Sequence, residues 1–116
     1  MSPNKPQIIK KLLGNLTNSI VHSTLAESTD IPELKKRYFK EAETSMNIAL
    51  KNRHLIHPID LFVTAKLSEK ILSQIQQKVK IKLKKRISDG YQNINIAYSM
   101  TLIGIQLEKL KIKKNN

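Results

Sequence analysis

The sequence predicts a mainly α-helical protein, a small bundle of about four helices forming a single basic domain over residues 1–116. Three observations predict it. Apolar residues recur at spacings of three and four through most of the chain, which is the period of amphipathic helices. The turn signals are few and fall between the periodic runs, at Glu27-Ser28-Thr29-Asp30, His57-Pro58 and Asp89-Gly90. With 116 residues, 40% of them apolar, and no cysteine, the chain is long enough to bury one core without disulfides.

Helix one is expected from about Pro6 to Ala26. Pro6 suits a first turn, where its missing N–H is not needed. Ile8, Ile9, Leu12, Leu13, Leu16, Ile20, Val21 and Leu25 supply one buried face. After the Glu27–Asp30 loop, Asp30 and Glu33 have the spacing of a capping box and Pro32 fits a first turn, so helix two should start there and run to about Asn52. Its apolar stripe is Leu34, Tyr38, Ala42, Met46, Ala49 and Leu50. Pro58 drives His57 out of the helical region, so His54 to Pro58 reads as a turn and helix three begins near Pro58. Phe62, Ala65, Leu72, Ile75, Val79 and Leu83 can share its inner face.

From Lys78 onward two periods compete. Lys78-Val79-Lys80-Ile81-Lys82-Leu83-Lys84 alternates strictly, as a strand does, and Asp89-Gly90 is a two-residue hairpin turn. Pairing around that turn sets Leu83 opposite Ile96, Ile81 opposite Tyr98 and Val79 opposite Met100, with Lys78, Lys80, Lys82 and Lys84 on the other face. This is the alternative architecture: three helices plus a C-terminal β-hairpin at about 78–102, winged-helix-like, with the last helix free to dimerise. The helical reading puts Val79, Leu83 and Ile87 on one side, uses Gly90 as a C-cap, and continues with a fourth helix from about Tyr91 to Ile112. The stripe of that helix would be Ile94, Tyr98, Leu102 and Ile105. The strongly helical first two thirds and the helical run Leu107 to Lys114 favour four helices.

Charge is the main departure from an ordinary domain. Lys and Arg number 21 against 9 Asp and Glu, for a net charge of +12. Residues 1–77 carry 11 basic and 7 acidic groups, whereas residues 78–116 carry 10 and 2. Such a surplus concentrates anions near the protein, and with nucleic acid it gains counterion-release free energy. The run Lys78, Lys80, Lys82, Lys84, Lys85 and Arg86 is therefore the leading candidate for phosphate contact. Lysines give point charges without bidentate base geometry, so backbone contact is expected rather than sharp base reading. Lys35, Lys36, Arg37 and Lys40 form a second basic cluster near the start of helix two, where the helix dipole disfavours cations. Of the three tyrosines, Tyr38 and Tyr98 fall on apolar stripes, and Tyr91 is the candidate for stacking on a base.

Enzymatic chemistry has little to stand on. Without cysteine there is no thiolate zinc site or thiol nucleophile, and three glycines, at 14, 90 and 104, build no phosphate-cradling loop. The segment Arg53-His54-Leu55-Ile56-His57 resembles the Arg-to-His motif of HEPN ribonucleases, which are small helical bundles. That resemblance implies an Arg and a His acting at a ribose and its phosphate. Only three residues separate Arg53 from His57, fewer than the family's motif has, and the resemblance covers about seven residues. His54, His57 and Asp60 offer two nitrogens and one oxygen to a metal, but Pro58 interrupts their presentation. We expect no enzyme, no cofactor and no metal.

The expected partner is DNA or RNA, in the manner of DNA-binding regulators or accessory factors of plasmids, phages and mobile elements, and a homo-oligomer is compatible with this. The N-terminus lacks a signal-like apolar stretch and no apolar run is long enough to span a bilayer, so a cytoplasmic protein without integral membrane association is expected. Two other classes fit the charge: a helical adaptor or regulatory subunit binding an acidic protein, and peripheral attachment to anionic lipid through Ile103 to Lys114.

Overall fold

The computed structural model describes residues 5–55 and 65–110, and among them the chain forms four helices and no strand. These are α1 (Lys5–Ser28), α2 (Pro32–His54), α3 (Ala65–Ser88) and α4 (Ile96–Lys109). A bundle of four helices is thus the architecture. α1 and α3 run parallel, with Asn18 beside Lys82 and the ends of both helices meeting the same cleft. The C-terminal ends of α2 and α4 meet where Arg53 Nε donates to the Leu110 carbonyl at 2.8 Å. The helices therefore alternate up, down, up, down.

α1 is the central element. Ile8, Leu12, Leu13, Leu16, Ile20, Val21 and Leu25 are all buried, as their spacing requires, and Ile9 is partly buried. Thr17 and Thr24 are buried too, because each hydroxyl donates to the carbonyl one turn back, Leu13 at 2.7 Å and Ile20 at 2.8 Å. All three other helices pack on α1, whereas among the described residues α2 makes no close backbone approach to α3 or α4.

The hairpin alternative is overturned. α3 continues helically to Ser88, and Gly90, at φ +102°, ends it. Gly90 N–H donates to the Ile87 carbonyl at 3.1 Å and Tyr91 N–H to the Arg86 carbonyl at 3.0 Å, which is the paired bonding of a Schellman cap. Asp89-Gly90 is a helix stop, and residues 78–102 form no wing. Ile81, which the strand reading buried, is 63% exposed, because Val79 and Leu83 share a helix face that excludes it.

Other expectations are corrected in detail. The N-cap of α2 is Ile31 rather than Asp30, and no side chain caps it; Pro32 does occupy the first turn. α3 buries Ile71 with Ile75, Val79 and Leu83, and Leu72 is left at 36% exposure. α4 starts at Ile96, later than expected, because Asn95 caps it by accepting from Tyr98 N–H at 3.0 Å. Its buried face is Ser99, Ile103, Gln106 and Leu107, not the Ile94–Tyr98–Leu102–Ile105 stripe, and Ile105 is exposed. Ile103, Leu107 and Leu110 are spent in the protomer core, so this helix does not offer them to a lipid surface or to a second copy. The starts proposed for helix three at Pro58, with Asp60 and Phe62, lie outside the described residues.

Candidate nucleic-acid interface

Helix geometry sorts the basic run of α3. At about 100° per residue, Ile71, Ile75, Val79 and Leu83 make one buried stripe. Lys78, Lys82 and Lys85, at i, i+4 and i+7, lie along the flank of that stripe next to α1, spaced by about 6 and 4.5 Å of helix rise. Lys82 Nζ donates to Asn18 Oδ1 of α1 at 3.3 Å, which fixes the flank's position. Lys80 and Lys84 share the opposite flank, and Lys84 points outward. The six cations therefore do not form one cluster: Lys78, Lys82, Lys85 and Arg86 come together, and Lys80 and Lys84 do not. All five lysines are exposed, and among the described residues no carboxylate pairs with any of them.

Between α1 and the C-terminal half of α3 lies a cleft of about 260 Å³, lined by Asn18, Val21, His22, Lys82, Lys85, Arg86 and Asp89. Three cationic side chains face one carboxylate there. The floor is polar because it takes Asn18 and His22 from a stripe on α1, Lys11, Asn15, Asn18 and His22, at regular helical spacing. The two ring nitrogens of His22 each face an acceptor: Nδ1 lies 2.8 Å from the Asn18 carbonyl oxygen and Nε2 lies 3.1 Å from Glu41 Oε2 of α2. Its ring stacks on Tyr38 at a centroid distance of 6.2 Å. Asn18, His22 and Glu41 are the site residues that sequence reasoning missed. The polar stripe on α1 was the signal for the first two.

A tyrosine–arginine belt links α2 to the C-terminal end of α3. The Schellman cap sets Arg86 and Tyr91 side by side, with the guanidinium 5.2 Å from the ring centroid and Arg86 Nη1 donating to Tyr91 Oη at 3.0 Å. Tyr91 Oη is 3.3 Å from Tyr38 Oη, and Arg37 lies 5.8 Å from the Tyr38 ring. The hydrogen bond with Tyr38, together with the nearby Arg86, lowers the Tyr91 phenol below its ordinary value. The same hydrogen bond, with burial added, raises Tyr38. Either phenol can donate in this contact.

The second basic cluster splits. Arg37 joins the belt, Lys36 is exposed, and Lys35 is partly buried. Tyr38 is buried, as expected, and Tyr98 is partly buried with its phenol raised by burial and by Glu27. Arg53 spends its Nε on the Leu110 carbonyl, a tie between helix ends. His57 and Asp60, named for the ribonuclease-like motif and the metal triad, lie outside the described residues. Among the described residues no three His, Cys, Asp or Glu side chains stand close enough to hold a metal, and no helix is long and apolar enough to cross a membrane. The chain matches no protein-family profile, no curated protein and no solved structure.

Proposed function

We propose that this chain is a nucleic-acid-binding protein whose α1–α3 cleft holds the phosphate backbone. The single observation that carries the reading is the flank of Lys78, Lys82 and Lys85 with Arg86, four cations on one side of one helix, unpaired with carboxylates among the described residues. A protein that needed these groups only for solubility would gain as much from lysines of any orientation. The polar floor of Asn18 and His22 adds donors and acceptors along the same track. Lysines outnumber arginine here, so affinity should come from phosphates, with little discrimination by base edges.

The test is the salt dependence of affinity for a fluorescent oligonucleotide, followed by anisotropy. Four phosphate contacts give a slope of log K against log salt of about −3 to −4. No retention at about 50 mM salt, or a slope near zero, contradicts the proposal.

A further inference from the structure

Beside the cationic cleft, at the end of the bundle, the α1–α2 turn and the loop between α3 and α4 enclose a second cavity of about 380 Å³. Leu25 and Leu34 supply apolar wall, Tyr38 and Tyr91 supply aromatic wall, and Asp30 and Asn93 bring polar groups. No lysine or arginine lines it, and Asp30 brings a carboxylate, so its chemistry repels phosphate. It suits a flat group with apolar faces and a hydrogen-bonding edge.

We infer that this cavity receives one unstacked nucleobase, so that the protein selects single-stranded over duplex nucleic acid. The inference rests on the proposed phosphate cleft and extends it. Arg86 joins the two sites: it lines the cleft, and its Nη1 holds Tyr91 Oη at 3.0 Å in the wall of the cavity. A strand whose phosphates follow Lys82, Lys85 and Arg86 delivers its next base to Tyr91. A duplex keeps its bases stacked and paired and cannot make that delivery, whereas a single strand presents them for aromatic stacking. Asn93 sits at φ +63°, a conformation asparagine tolerates better than most residues, and this holds an amide in the lining. A carboxylate accepts from an exocyclic amino group. Bases with such a group, cytosine, adenine and guanine, are favoured over uracil, and cytosine against uracil makes the comparison at constant ring size.

The test compares four probes of equal length on the full chain: an oligocytidine strand, an oligouridine strand, an abasic strand and a duplex. The expected result is that oligocytidine binds about tenfold or more tighter than the abasic strand, the scale of one base–aromatic stack, with oligouridine between them and the duplex weaker than oligocytidine. Tyr91→Ala and Asp30→Asn should each lower the ratio of cytidine to abasic affinity. The second is an exposed turn residue and guards against loss of fold. If all four probes bind alike with a steep salt slope, the base cavity is refuted and the phosphate cleft stands. If none binds, both fail.

Discussion

Gly90→Ala should destabilise the protein although the added methyl meets nothing. A Cβ built at Gly90 has no heavy atom within 4 Å, so no clash contributes. The cost is the backbone at φ +102°, which disfavours an L side chain by about 1–2 kcal/mol. With an unfolding entropy of about 2.1 cal/mol/K per residue over 116 residues, that corresponds to a Tm lower by about 4–8 °C. Gly14 provides the control. It lies inside α1, its added Cβ also meets nothing within 4 Å, and Gly14→Ala should stabilise by about 0.5–1 kcal/mol. The same chemical change thus takes opposite signs at two unobstructed positions. Differential scanning calorimetry on both variants reads the effect directly. A Gly90→Ala protein as stable as the parent would refute the left-handed cap, and with it the account of how Arg86 and Tyr91 are brought together.

Leu16→Ala removes a side chain with 0% exposure from the central helix and should cost about 2–5 kcal/mol by urea denaturation with an unchanged m-value; a loss under about 1 kcal/mol would deny α1 its central place. Tyr98 has a raised pKa because burial, and then Glu27, disfavour its phenolate. Above the ordinary tyrosine value the unfolded chain releases this proton first, so the stability it contributes is present below that value and is lost as pH rises through the folded pKa. Urea unfolding of the parent and Tyr98→Phe at about pH 9 and 11 should show a steeper alkaline loss in the parent; parallel losses would contradict the assignment.

Much of this fold was legible because its strongest signals are local. The α1 face from Ile8 to Leu25 is continuous, and one helix buried by three others needs such a run. Residues 78–90 were ambiguous for a definite reason. Val79 and Leu83 lie on one face at either period, so only Ile81 distinguishes strand from helix, and local sequence does not say whether Ile81 is covered. The rotation of α4 was illegible because apolar residues occur all round it, at Ile96, Leu102, Ile103, Ile105 and Leu107. Its face was decided by α1 and α3. The candidate site was legible as a composition and not as a surface: the lysines of α3 could be named, but their division into flanks depends on where α1 lies. The His22–Glu41 contact joins helices one and two across 19 positions of sequence, and neither residue type announces such a pairing.

The central claim is tested most directly by two variants of identical charge. Lys82→Glu/Lys85→Glu reverses two cations beside α1, and Lys80→Glu/Lys84→Glu reverses two on the opposite flank, each by the same amount. Oligonucleotide affinity across a salt series should collapse in the first pair, with the slope of log K shallower by about 1.4–1.8, and should stay near that of the parent in the second. Equal losses in both pairs would show that net charge alone governs retention, and the assignment of the α1–α3 cleft would be wrong.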